Sequence, residues 1–241
     1  MSQSSERGCV MLNVKNLTVS FPAEGEKVTP IDDLYFKMDY GEILGLVGRS
    51  GCGKTVLSTV LMGMLEYPGF VSQGEVLYKP KGMSELDLIK LDEKEWQKLR
   101  GREIAMIEQD SMQALNPSRK IGSQFVEAIR VHRKNLSKSE CISMAKDAFE
   151  KVFLYDPDKV MKSYPFELSG GMSQRVLIAI GLIHKPSLLV ADESTTALDV
   201  KNQAQVLKVF QSAREELGTA ILFISHDSRI VESFADRVIS L

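Results

Sequence analysis

Disulfides, zinc clusters and membrane spans are three things this chain lacks the residues to build. It has three cysteines, Cys9, Cys52 and Cys141, scattered without a C-x-x-C pair. That spacing excludes a disulfide framework or a cysteine zinc site, and makes a reducing compartment the default. No run approaches ~20 uninterrupted apolar residues, so no segment is expected to span a bilayer. The first eight residues carry charge with no apolar core behind it, unlike a secretory leader. Any membrane association is therefore expected through a partner. The net charge is only −2, from 30 basic and 32 acidic residues, which argues against a nucleic-acid-binding surface spread over the protein. There is no internal repeat and no low-complexity tract. Three dispersed histidines, His132, His184 and His226, do not make a metal site. The first two fall at helix ends and are expected to be solvated. The single tryptophan, Trp96, is expected to pack.

What the chain does have is an alternation of strands and helices, broken once. Leu12–Phe21 and Ile31–Asp39 read as strands around a turn at Pro22–Glu26, and Glu42–Val47 is a short apolar strand before the helix Lys54–Leu65. Asp92–Arg100 opens with a capping box, Asp92 and Glu95, and a Leu91/Trp96 staple; Ile104–Ile107 is a buried strand. Between Ile121 and Ser163 the pattern is amphipathic helix: Ile121–His132, then a second helix opened by Ser137 and Glu140. Alternation resumes with Gln174–Ile183, Ser187–Ala191, Val200–Leu217, Ala220–Ile224, Ser228–Ala235 and Val238–Leu241. The expectation is an α/β core interrupted by an all-helical insert. The chain stops on an apolar strand, which suggests a missing C-terminal extension.

Three distant stretches carry chemistry. Gly48-Arg49-Ser50-Gly51-Cys52-Gly53-Lys54-Thr55 fits G-x-x-x-x-G-K-[ST] in strand–loop–helix context. Its glycines let backbone N–H groups point at phosphate oxygens, and the helix that follows adds its positive end. Lys54 would neutralise the β and γ phosphates, and the Thr55 hydroxyl would ligate Mg²⁺. Cys52 occupies a variable position, where alkylation should block nucleotide. Leu188-Leu189-Val190-Ala191-Asp192-Glu193 is an apolar strand with carboxylates at its C-terminal edge, where open α/β sheets place ligands. Asp192 would hold Mg²⁺ and Glu193 would polarise the attacking water as general base. Leu168-Ser169-Gly170-Gly171-Met172 opens a helix and forms a second anion site. One domain does not need two such sites for one ATP, so this one should serve the γ-phosphate of an ATP held by another domain.

In this combination the chain resembles ABC transporter nucleotide-binding subunits from Leu12 to Leu241, closest to the oligopeptide/dipeptide/nickel importer group. Met62-Gly63-Met64-Leu65, Ile104–Asp110, Ala114-Leu115-Asn116-Pro117 and Ala191–Val200 point to that group. The resemblance implies a P-loop NTPase (RecA-like) α/β core with an antiparallel β subdomain and an inserted α-helical subdomain. Residues 1–241 would form one ABC ATPase domain, with core at about 10–117 and 176–241 and the helical subdomain at about 118–175. It also implies that Gln109 senses Mg²⁺ and the water, that Asp199 lies in a loop crossing a dimer interface, and that His226 contacts the γ-phosphate and orients Glu193. Val56 would complete the phosphate site, and Phe21 would stack on adenine. The cofactors implied are ATP and Mg²⁺. The partners implied are two transmembrane permease subunits, a second ATPase subunit, identical or homologous, and indirectly an extracytoplasmic solute-binding protein; nucleic acid is not among them. The place implied is the cytoplasmic face of the cell (inner) membrane, held there peripherally by the permease. Glu108, Ser111 and Ser194 depart from the group pattern, whereas Met172 suits it. The group's cysteine-bearing C-terminal extension does not appear.

The function expected is ATP hydrolysis powering import of peptides, nickel or a metal-chelate. A soluble ABC ATPase of the iron–sulfur assembly type is the alternative, opposed by the importer-like residues Asp110–Pro117. Repair-type members insert very long coiled coils, yet only about sixty residues separate Gln109 from Ser169. A non-hydrolysing switch is opposed by Lys54, Asp192, Glu193 and His226 together, and a GTPase by the lack of an N-K-x-D motif.

Overall fold

The computed structural model describes residues 9–23, 26–108, 114–195 and 198–241. Its first strands, β1 (Val10–Ala23) and β2 (Glu26–Asp39), are each longer than their apolar patterns suggest, and they pair antiparallel down to Ala23 and Glu26. Pro22, Ala23 and Glu26, expected in a turn, are thus paired in the strands, and residues 24 and 25 lie outside the described residues. Pro22 is tolerated because pairing of β1 with β4 (Phe70–Tyr78) ends at Ser20, so no ladder bond is lost there. β4 escaped the sequence reading because only Val76 and Tyr78 of it are buried and Gly74, at φ 103°, interrupts it. With the two-residue β5 (Leu86–Asp87) these strands form an antiparallel sheet in the order β2-β1-β4-β5.

The second described sheet is parallel and runs β6-β7-β8-β3-β9. Its members are β3 (Ile43–Val47), β6 (Ile104–Ile107), β7 (Leu188–Asp192), β8 (Ala220–Ser225) and β9 (Arg237–Ser240). Successive residues feed two different cores. Leu44, Leu46, Leu188, Val190, Leu222 and Ile224 join the cluster shared with the antiparallel sheet and α1 (Lys54–Leu61). Ile43, Leu189, Ala191, Ile221 and Phe223 join the cluster shared with the helices on the other side. A sheet covered on both faces explains why these strands read as unbroken apolar runs rather than alternating ones.

α1 ends at Leu61, four residues short of the expected Leu65. Gly63 turns left-handed at φ 60°, and the Trp96 ring fills the space where its Cβ would stand, 2.2 Å away. Trp96, 4% exposed, lies on α2 (Glu93–Leu99), whose capping box pairs Asp92 with Glu95 as read from the sequence.

Between β6 and β7 come α3 (Ile121–His132), α4 (Lys138–Lys151) and α5 (Pro157–Lys162), then α6 (Gly170–Leu182). Phe125 and Phe149 meet edge to face at 4.9 Å in the middle of this helical lobe. His132 and His184 correct the expectation of solvated rings. They are half-buried, 5.0 Å apart in edge-to-face contact, with Nε2 atoms 2.9 Å from the Arg100 carbonyl and 3.0 Å from that of Ala128. Their helix ends pack on each other, which sequence position alone does not reveal. Burial lowers the pKa of His184, and neighbouring His132, Arg133 and Arg102 add to this. α7 (Val200–Ser212) runs into a π-helical turn at Ala213–Leu217, and α8 (Ser228–Phe234) lies so close to β3 that a Cβ on Gly45 would come 2.2 Å from Val231.

Candidate functional site

Parallel strands bring their C-terminal ends to one edge, and three of those ends carry the candidate residues. β3 pairs with β8 through Val47 and Ser225, and β8 pairs with β7 through Ile224 and Asp192. The loop 48–53 thus follows β3, His226 follows β8 and Glu193 follows β7, with the β8 end between the other two.

The loop turns as its glycines require. Gly51 and Gly53 take φ of 81° and 104°, a region costly for side-chain-bearing residues. A Cβ on Gly53 would stand 2.5 Å from the Pro30 carbonyl, and one on Gly48 2.5 Å from Cys52 Sγ. Arg49, Ser50 and Gly51 are exposed at the tip, whereas Cys52 and Val56 are half-buried. Lys54 is 5% exposed, and its ammonium donates to the carbonyls of Gly48 and Arg49 at 2.9 and 3.0 Å. The same ammonium lies 3.8 Å from Glu193 Oε1, and His226 Nδ1 lies 3.4 Å from Glu193 Oε2. Glu193 itself is left-handed at φ 44°, its N–H donating to the Ile224 carbonyl at 2.9 Å. Backbone strain of this kind is held where the surroundings over-determine it, and it gathers at functional sites.

Asp192 is 4% exposed, and its Oδ1 has no hydrogen-bond partner among the described residues. Burial pushes its carboxyl above the ordinary value, while the hydroxyls of Ser58 and Thr55 pull it back. Ser58, on the turn after Lys54, was not identified from sequence; its i+4 spacing behind Lys54 is the signal that could have found it. An orphan carboxylate oxygen beside an exposed threonine hydroxyl fits a hard, oxygen-seeking cation such as Mg²⁺, which takes one or two protein ligands and fills its remaining positions from phosphate and water. The absence of any group of three or more acidic, cysteine or histidine side chains with metal-site geometry among the described residues is consistent with that sparse ligand set.

Ser169 and Gly170 are exposed at the start of α6, with Ser169 Oγ accepting the Met172 N–H at 3.3 Å. Nothing lies within 4 Å of a Cβ built on Gly170, while one on Gly171 would sit 2.5 Å from Asn202. The capped turn is therefore open on one side and packed on the other. Asp199 is an exposed helix cap, accepting from Asn202 N at 2.9 Å and Asn202 Nδ2 at 2.7 Å, and these bonds lower its pKa. Phe21 is half-buried at the end of β1, against Gly69. Gln109 lies outside the described residues, as do residues 110–113 and 196–197.

Known proteins share this arrangement. Oligopeptide transport ATP-binding protein OppD of Bacillus subtilis is 44% identical over 229 residues, 95% of this chain and 62% of that protein. Dipeptide transport ATP-binding protein DppD of Lactococcus lactis is 40% identical over 228 residues, again 95% of this chain and 64% of the relative. The chain therefore spans a little under two thirds of the length of these relatives. The dimeric, post-hydrolysis structure of the ATP-binding cassette MJ0796 with ADP and Pi superposes with a TM-score of 0.82 at 25% identity, covering 96% of this chain and 94% of that one. The fold is thus the P-loop NTPase fold of ATP-binding cassettes. The family model for the ABC transporter matches residues 31–196, from within β2 to just beyond Glu193. By its loop, its acidic strand end and the extent of that match, this chain belongs to the ABC transporter family.

Proposed function

We propose that the chain is the ATP-binding and ATP-hydrolysing subunit of a peptide importer, acting as one half of a pair of cassettes. The observation that carries this reading is the open Ser169–Gly170 turn. It is a second helix N-terminus suited to phosphate, exposed to solvent and free on the face of Gly170. A neighbouring cassette's γ-phosphate is the ligand it fits. Loop 48–55 would cradle the phosphates of this chain's own ATP, with Val56 completing that site. Phe21 would stack on its adenine. Asp199 and the Gln109 segment would line the seam between cassettes. We assign core to about 10–117 and 176–241 and the helical subdomain to about 118–175.

In the mechanism, Lys54 places its charge against the β and γ oxygens, and Glu193 takes a proton from the attacking water. His226, whose Nδ1 lies 3.4 Å from Glu193 Oε2, would fix which carboxylate oxygen faces that water. Lys54 lies 3.8 Å from the other oxygen. Asp192, Thr55 and Gln109 would hold Mg²⁺, which when bound neutralises charge developing on the transferred phosphoryl group. The cargo is peptide, by the names of the relatives. Two permease subunits would carry the motion to the membrane and hold the chain at its cytoplasmic face, and an extracytoplasmic binding protein would deliver cargo. No described helix is long and apolar enough to cross a membrane, so the permease must supply the crossing.

The test uses two variants. Glu193→Gln should keep ATP binding, lose turnover by roughly 10²- to 10⁴-fold, the scale of a lost general base, and accumulate an ATP-bound dimer on gel filtration. Adding Ser169→Arg should abolish that dimer while a fluorescent ATP analogue still binds the monomer. Parental turnover in Glu193→Gln removes it as the base, and an undiminished dimer with Ser169→Arg refutes the composite site.

A further inference from the structure

The nucleotide site leaves one buried cation unused. Arg175, on the first turns of α6, is 8% exposed and has no carboxylate partner among the described residues. Its Nε donates to the Gly171 carbonyl at 3.1 Å, and its Nη1 donates to the Phe153 carbonyl at 3.2 Å and to Gln205 Oε1 at 2.7 Å. Those acceptors belong to three different bodies: the Ser169–Gly171 turn, the end of the helical lobe, and α7. Burial lowers the Arg175 pKa, opposed only by Tyr155, so each of these acceptors matters to the charge.

Two further observations give the arrangement direction. Gln205 lies one turn along α7 from Asn202, which packs against Gly171 and holds both oxygens of Asp199. The turn that faces a neighbour's phosphate and the aspartate at the seam between cassettes are thus tied to the same stretch of α7. The lobe and core share one apolar cluster, which joins Phe149 and Val152 to Val176, Ala179 and Val209. A groove of about 560 Å³ opens beside it, between Met144, Val152 and Phe153 of the lobe and Ile183 and Val209 of the core. Phe153 is left-handed at φ 60°, which turns its carbonyl out of the helical pattern and towards Arg175. Apolar packing holds the lobe to the core, and the bonds from Arg175 to Phe153 and Gln205 add direction to it.

We infer that Arg175 and Gln205 are positioning residues that lock the Ser169–Gly171 turn to α7 and the helical lobe, so that the turn and Asp199 reach the neighbouring cassette as one unit. The inference rests on the paired-cassette reading above. It assigns no contact with ATP to either residue.

The experiment is ATP-dependent dimerisation of the 241-residue chain in the Glu193→Gln background, with ATP affinity of the monomer measured alongside. Gln205→Ala, a change at a half-buried site, should weaken the dimer by roughly tenfold, the scale of one lost charge-assisted hydrogen bond, with monomer ATP affinity and melting temperature close to parental. Gln205→Glu should restore dimerisation, because a carboxylate accepts from the guanidinium at the same place. A residue that merely fills space would show the reverse order, since Glu would add a half-buried charge. Parental dimerisation of Gln205→Ala, or a Glu variant weaker than the Ala variant, overturns the lock alone. Failure of Glu193→Gln itself to dimerise with ATP overturns the paired-cassette reading, and the lock with it.

Discussion

Asp192 shows the conflict a binding residue brings to a fold. Its carboxylate is enclosed, one oxygen lacks a partner among the described residues, and burial raises its pKa above the ordinary 3.8. An acid whose native pKa is raised binds its proton more tightly folded than unfolded, so its contribution favours the fold below pH 3.8 and is lost as pH rises through the native value. Asp192→Asn removes that dependence. The variant should melt higher than the parent at pH 7, the gap should close below about pH 4, and stabilisation by MgATP should be lost. Thermal melts across pH, with and without nucleotide, check all three outcomes; a variant that melts lower at pH 7 would mean that the Ser58 and Thr55 hydroxyls outweigh desolvation. The Asp192–Glu193 pair could be found from sequence because an apolar strand ending in two acids is a local pattern. The 3.4 Å approach of His226 to Glu193 was expected only through the family resemblance and not from any local pattern, because the two residues are neighbours only through the register of β7 and β8.

Among the elements, helix starts marked by a capping box were readable, whereas α6 starts at Gly170, four residues before the expected Gln174. Ser137 with Glu140, and Asp92 with Glu95, form the capping boxes their spacing predicts, because a cap is decided by four consecutive residues. The end of α1 depends on Trp96, which is 33 positions from Gly63 and stacked over it. Gly63→Ala should therefore destabilise the fold by about 1–3 kcal/mol, combining a left-handed backbone with a clash against the indole. Gly82→Ala separates the two causes. Gly82 is also left-handed, at φ 71°, but a Cβ there meets nothing within 4 Å, so only the backbone cost of about 1 kcal/mol is expected. Chemical denaturation of both variants tests this, and equal losses would remove the indole from the account. Strand β4 illustrates the opposite case, with a pattern too polar and too interrupted at Gly74 to be seen until β1 supplies its partner.

At the scale of the whole molecule, the two halves of the proposed composite site are separate parts of one chain: the 48–55 loop at the sheet edge and the Ser169–Gly170 turn at the start of α6. Exposed polar backbone at both surfaces, rather than an extended apolar face, argues for association that depends on nucleotide. The parental chain should sediment as a monomer without nucleotide and associate weakly with ATP; a tight dimer without nucleotide would require the sandwich to be revised. The local patterns, which are the phosphate loop, the acidic strand end, the capped Ser-Gly-Gly turn and the α/β alternation with its helical interruption, could be read from neighbouring residues because each is satisfied within one turn or one strand. The rest needed the chain to fold back on itself: the histidine pair at 5.0 Å, the early end of α1, and the bridge of Arg175 to Phe153 and Gln205. Those contacts join residues tens of positions apart, and no local pattern encodes which carbonyl a buried guanidinium will reach.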